Sequence, residues 1–157
     1  ITKEMITNAM KSNLTYTWYH YYKFIFYWLY NWKKFFNNDT EKFIIWCIPM
    51  LHRANKMRMS KNNHNINIST WRSTIERIET QGINTMSLSD ITGIPRPTVT
   101  RKLKTLILNK HLFMDKNKLI HPGDQGKYKA EMYNIQNSAL NEFSNFTSKI
   151  FNQIILK

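Results

Sequence analysis

The sequence predicts a mainly α fold carrying one small β-hairpin. Three observations predict it. Apolar residues recur at helical spacing near both ends of the chain. A glycine at position 93 separates two short helical patterns, the second of which opens with a proline. Two short extended runs follow, joined by a polar turn.

Residues 3–36 read as helix, with a weak point at Asn13–Thr17. Between Tyr16 and Phe36, 13 of the 21 residues are Tyr, Trp or Phe, and they cover every face of the helix. A helix that is apolar all round is normally buried, and in a chain this small that calls for a second subunit. Dimer core is therefore the first reading of this belt. An aromatic-ligand pocket on Trp18, Tyr22 and Trp28, or a stacking platform for single-stranded nucleic acid, are the other uses of the same rings. Asn37, Asn38 and Asp39 break the helix, and Asp39 or Thr40 is suited to cap the next one, over 40–59.

Ser60–Asn67 (SKNNHNIN) is polar and reads as a linker. Ser69 or Thr70 caps a predicted helix from Trp71 to Thr80, with Trp71, Ile75 and Ile78 on its apolar seam, and Gln81-Gly82 ends it. Ser87 is the expected cap of a short helix holding Leu88 and Ile91. Gly93 stops that helix, because glycine accepts a left-handed turn. Ile94 plugs the turn. Pro97 sits near the start of the next helix, where its missing N–H costs nothing. Val99, Leu103 and Leu106 define the buried face of that helix.

Extended segments at Leu112–Asp115 and Lys118–His121 read as a hairpin around a two-residue turn, Lys116-Asn117, ended by Pro122-Gly123. A long helix runs from Gln125 to Leu156, with Met132, Ile135, Ala139, Phe143, Phe146 and Ile150 as a seam fit to meet another helix.

Helix, glycine turn, helix and short hairpin together are the pattern of a winged helix-turn-helix. The expected organisation is an N-terminal aromatic region for dimerisation at 1–60, a winged helix-turn-helix DNA-binding domain at 68–122, and a C-terminal dimerisation helix at 125–156. With Val99, Leu103 and Leu106 turned inward, the outer face carries Thr98, Arg101, Lys104 and Thr105. Arg96 and Pro97 lie at the start of that helix, and Thr100 and Lys102 on its flanks. Arginine suits bidentate contact with guanine, and threonine a thymine methyl or a phosphate. Lys102, Lys104 and Lys110 suit phosphate neutralisation. Lys116 and Lys118 on the wing are expected to lie along the backbone or a minor groove. From Arg96 to Lys118 there are seven Lys or Arg and one acid, Asp115.

The run from Leu88 to Leu103 (LSDITGIPRPTVTRKL) resembles the reading head of bacterial winged-helix regulators of the MarR and IclR type. The resemblance spans about 35–50 residues. The order of helices, reading head, hairpin and long C-terminal helix is similar to the MarR layout, which implies a dimer built from the N- and C-terminal helices. The chain departs from that layout in its aromatic belt and its short wing. It has no room for the large effector domain of the IclR type.

Composition agrees with a polyanionic partner. The net charge is +13, from 23 Lys and Arg against 10 Asp and Glu. Part of that excess follows from an Asn-, Ile- and Lys-rich composition of the kind AT-rich coding produces. The single cysteine, Cys47, sits in an apolar run, which predicts an inert thiol and a reducing, cytoplasmic setting. No signal peptide is visible, and the chain opens on Ile1 rather than Met, so a start upstream is expected. The apolar runs Phe24–Trp32 and Phe43–Leu51 are far shorter than the roughly 20 residues a membrane span needs. None of the five histidines (His20, His52, His64, His111, His121) forms a pair at ligand spacing, so no metal or other cofactor is expected. Nor does a catalytic set appear. The expected function is a sequence-specific regulator that binds duplex DNA as a homodimer, with no membrane partner and no support for an effector. An architectural DNA-binding protein and a helical docking module are the alternatives.

Overall fold

The computed structural model describes residues 1–59, 70, 72–74 and 81–155. The predicted linker at Ser60–Asn67 and almost all of the predicted helix at Trp71–Thr80, including Trp71, Ile75 and Ile78, lie outside the described residues. The fold is mainly helical with one two-stranded antiparallel hairpin and a long C-terminal helix. Among the described residues no helix is long and apolar enough to cross a membrane. The chain divides into two compact units, one of residues 1–37 with the C-terminal helix from Ala130 onward, the other of residues 38–129.

In the first unit, α1 (Lys3–Ser12) starts at Thr2, whose hydroxyl accepts from the Met5 amide at 3.2 Å. The chain leaves helical geometry at Asn13, inside the weak segment the sequence marks, and resumes as α2 (Leu14–Phe35). The C-terminal helix, called α6 below, runs from Lys129 to Ile155. It begins four residues later than expected, because Gly126–Tyr128 first form a 3₁₀ turn. α2 and α6 meet antiparallel: His20 pairs with Lys149, Tyr21 with Phe146, and Phe24 with Phe143. Aromatic burial on α2 is one-sided. Trp32 and Phe35 are buried, with Thr17 on the same side, whereas Trp18, Tyr19, Tyr22, Phe26 and Tyr30 are exposed.

In the second unit, α3 (Thr40–Met59) begins where Asp39 Oδ1 accepts from the Lys42 amide at 3.1 Å. The sequence alone places residues 40–59 with the N-terminal region. Instead α3 packs with elements that follow it in this unit: α4 (Thr85–Thr92), α5 (Arg96–Leu108) and the hairpin strand β2 (Ile120–Pro122), the partner of β1 (Leu112–Met114). Its Arg53 guanidinium is buried and donates to the Pro122 carbonyl at 2.7 Å.

Two local expectations are corrected. α4 starts at Thr85 and is capped by Asn84, whose side chain accepts from the Ser87 amide at 2.8 Å, so Ser87 is not the cap. The reason is tertiary. Ile83 pairs with Ile120 as an isolated bridge, which keeps the chain extended up to Asn84 and lets the helix begin directly after it. The helix holds Leu88 and Ile91 as expected, with Leu88 buried and Ile91 exposed. The hairpin turn is also longer than predicted. Met114 pairs with Ile120, and the Asp115 amide donates to the Leu119 carbonyl at 2.9 Å, which leaves Lys116, Asn117 and Lys118 in the loop. Lys118 takes a left-handed conformation (φ 61°), completing a three-residue turn. A one-residue slip would reverse the faces of a strand. The observed register instead buries Leu112, Ile120 and Pro122 together.

Candidate nucleic-acid interface

The turn between α4 and α5 is closed by local chemistry. Gly93 has φ 68°, and its amide donates to the Ser89 carbonyl at 2.9 Å. The Ser89 hydroxyl donates to the Ile94 carbonyl at 2.7 Å, and Ile94 is buried as the plug the sequence suggests. α5 then starts after Pro95, with Pro97 in its first turn, where no intrahelical N–H is required. Val99, Leu103 and Leu106 are at most 2% exposed, so the inward face of α5 is fixed.

The outward face is fixed by subtraction. Arg96, Pro97, Thr100, Arg101 and Lys104 are exposed, and Thr98 and Thr105 are half-buried at its margins. The Thr100 hydroxyl donates back to the Arg96 carbonyl at 3.0 Å, keeping that side chain close to the helix. Among the described residues Arg96, Arg101 and Lys104 make no side-chain hydrogen bond or ion pair. Arg101 and Lys104 therefore project from one side of a helix whose first two turns hold no acid, and Arg96 stands exposed at its first residue. The N-terminal end of that helix adds its own positive potential.

Lys102 is different. Its ammonium binds the Asp39 carboxylate and lies 3.2 Å from Glu41 Oε2, at the start of α3. The lysine side chain is 15% exposed and that of Asp39 19%. The hydrogen bond to Asp39, then that to Glu41, holds the Lys102 ammonium above the ordinary lysine value. Partial burial pushes the Asp39 carboxyl up. The hydrogen bonds from Lys102 and from the Lys42 amide outweigh it, so the carboxyl sits below its usual range. The expected phosphate neutraliser is thus a tie between α5 and α3. Residues 63 apart meet here, and no local pattern marks such a pair.

The hairpin loop is organised by its one acid. Asp115 Oδ1 accepts from the Asn117 and Leu119 amides at 2.8 and 2.9 Å, and Oδ2 lies 3.1 Å from His121 Nε2. The Leu119 hydrogen bond leads in holding the Asp115 carboxyl below its usual range. His121 in turn stacks on Phe113, with ring centroids 4.9 Å apart. Lys116 and Lys118 are exposed on the loop so formed. Behind it the chain is latched. Gln125 Oε1 accepts from buried His111 Nδ1 at 2.9 Å, while Gln125 Nε2 donates to the His111 and Gly123 carbonyls. Because Nε2 of Gln125 is a donor, its oxygen faces the imidazole, which requires the Nδ1–H tautomer of His111. Neither this latch nor the Lys102–Asp39 and Arg53–Pro122 contacts of the α3 region are legible in the sequence, since each joins segments brought together only by folding.

The proposed aromatic pocket does not form as expected. Trp18 and Tyr22 stack on each other at the exposed surface, with ring centroids 5.2 Å apart. Trp28 lies about 15 Å from Trp18 and about 9 Å from Tyr22 along the helix at 1.5 Å per residue. A separate small cavity of about 260 Å³ between α2 and α6 is lined by His20, Lys23, Phe24, Glu142, Asn145, Phe146 and Lys149, none of them in the predicted set. Among the described residues no three His, Cys, Asp or Glu side chains converge as a metal site. Burial pushes the Cys47 thiol up to about 12. In comparisons with known protein families, characterised proteins and solved structures, nothing matches this chain.

Proposed function

We propose that α4, the Gly93 turn, α5 and the hairpin form a winged helix-turn-helix of the MarR type, and that the protein is a sequence-specific transcriptional regulator that binds duplex DNA. The observation that carries this reading is the division of α5: one face fully buried through Val99, Leu103 and Leu106, the other exposing Arg101 and Lys104 without side-chain partners, with Arg96 exposed and unpartnered at the start of the helix. A helix held in this way is rigid, and its N-terminal residues fit against base edges in a major groove. Arg96 and Arg101 then read guanine, Thr100 contacts a thymine methyl or a phosphate, and Lys104 neutralises phosphate. Lys116 and Lys118 follow the backbone beside the helix. This is a binding role, not an enzymatic one.

Selection from a random duplex library at physiological salt tests the proposal. A sequence-reading regulator enriches one site, and Arg101→Ala abolishes the enrichment. Uniform binding to all duplexes, erased by moderate salt, would instead show backbone attraction alone and refute sequence reading.

A further inference from the structure

We propose that the exposed aromatic face of α2 is a homodimer interface, in which the α2 helices of two copies pack antiparallel about a two-fold axis that crosses the seam between Tyr22 and Phe26, at the height of Phe24. The proposal concerns the first unit alone and does not rest on DNA binding.

The face is distinct from the one that α6 covers. Trp18, Tyr19, Tyr22, Phe26, Leu29 and Tyr30 are between 44 and 71% exposed. At 100° per residue they fall within an arc of about 120° on the helix. Phe24 and Tyr21, which contact Phe143 and Phe146 of α6, lie outside that arc. At roughly 200 Å² per side chain of this kind, the exposed face amounts to about 700 Å². That exceeds the largest apolar patch usual on a monomer, about 300–600 Å². It approaches the roughly 800 Å² that each partner contributes to a standard interface.

Its pattern selects a second copy as the occupant. A two-fold interface needs a patch complementary to itself. Turning α2 end for end about Phe24 sets Trp18 opposite Tyr30, Tyr19 opposite Leu29, and Tyr22 opposite Phe26, so each aromatic or leucine side chain meets another. Each of these pairs is also centred on the same line down the middle of the arc, so the reversed face superimposes on itself. Charge gives the same answer. The chain carries +13, yet this arc holds no charged residue from Thr15 to Tyr30. Lys33 continues the arc beyond Tyr30, and the antiparallel arrangement places it against Thr15. A parallel pair would set Lys33 against Lys33, a like-charge contact. The hydroxyls of Tyr19 and Tyr30, toward the edge of the arc, reach water at the rim of such a seam.

The test uses the full chain. Sedimentation equilibrium is expected to give twice the 18.9 kDa protomer mass. Tyr22→Glu with Phe26→Glu is expected to weaken association by about 100-fold or more, with the far-ultraviolet circular dichroism unchanged. In a Cys47→Ser background, Tyr22→Cys combined with Phe26→Cys is expected to form an intermolecular disulfide on oxidation, and Lys33→Cys is not. A monomeric wild type overturns the proposal. So does a monomer that instead sediments with anionic phospholipid vesicles, which would give this face to a membrane surface. A dimer unaffected by the two glutamates overturns the assigned face, and crosslinking through Lys33→Cys overturns the antiparallel register. If the glutamate variant loses helicity, the Tyr22→Cys/Phe26→Cys pair decides: a disulfide between copies supports the interface, and its absence overturns it.

Discussion

Neighbouring residues Arg101 and Lys102 carry the same charge, and the structure predicts opposite consequences for losing it. Lys102→Met removes only the ammonium and keeps an aliphatic stem. That ammonium ties Asp39 and Glu41 of α3 to α5, with side chains 15% and 19% exposed for Lys102 and Asp39. A fully exposed pair contributes roughly 0.2–1 kcal/mol, and a hydrogen bond to a charged group about 1.5–3 kcal/mol. This half-buried tie lies between them, at about 1–2 kcal/mol. For a unit of this size that lowers Tm by roughly 4–16 °C. Arg101 is exposed and unpaired, so Arg101→Ala is expected to change stability by less than about 0.5 kcal/mol. The order reverses for DNA. Losing one bidentate arginine contact costs about 1–3 kcal/mol, or roughly 5–150-fold in affinity, whereas Lys102→Met leaves affinity nearly unchanged. Urea denaturation and fluorescence anisotropy with the selected duplex measure the two quantities on the same samples. If Lys102→Met cost affinity and no stability, Lys102 would face DNA in solution and the tie to α3 would be wrong. If Arg101→Ala bound as tightly as wild type, the outward face of α5 would not be the reading surface.

The same tie makes stability depend on pH. The Asp39 carboxyl titrates lower in the folded chain than in the unfolded one, so between the two values the unfolded chain binds more protons and stability rises with pH. The contribution is complete above the ordinary carboxylate value of 3.8 and disappears as the pH falls through the depressed one. Urea melts from neutral to strongly acidic pH should show the gap between wild type and Asp39→Asn closing at the acid end. Gly123→Ala is expected to destabilise by about 1–3 kcal/mol, because a Cβ there would sit 2.1 Å from the Lys110 carbonyl oxygen; thermal denaturation reads it, and an unchanged Tm would contradict the close approach. Asn84→Ala removes the cap of α4 and should cost about 0.5–2 kcal/mol, while Ser87→Ala, whose side chain caps nothing, should cost less. Cys47, with its thiol pushed up to about 12, should resist alkylation at pH 8 in the native protein and react readily in urea.

The local features of the reading head were legible in the sequence because each depends on neighbours along the chain. Gly93 takes the left-handed turn that glycine alone accepts freely, Pro97 opens α5, and the spacing of Val99, Leu103 and Leu106 gives one buried stripe at helical period. The weak point at Asn13 and the capping by Asp39 are local in the same sense. Tertiary structure decided what depended on distant partners. Pairing of Ile83 with Ile120 moved the cap of α4 from Ser87 to Asn84. The longer hairpin turn is a local matter by contrast: Asp115 accepts from the amides two and four residues on and draws the turn out to three residues. Asp39 and Glu41 took Lys102 out of the basic surface, a choice that the composition of α5 cannot express because the deciding charges lie 63 and 61 positions away along the chain. The aromatic belt shows the boundary most clearly. Ring content alone says that α2 needs covering on every side, but only the packing of Phe24 and Tyr21 against α6 separates the face already covered from the one that is still exposed. Apolar burial carries no direction along the sequence, so which partner covers a ring is settled only when the chain has folded.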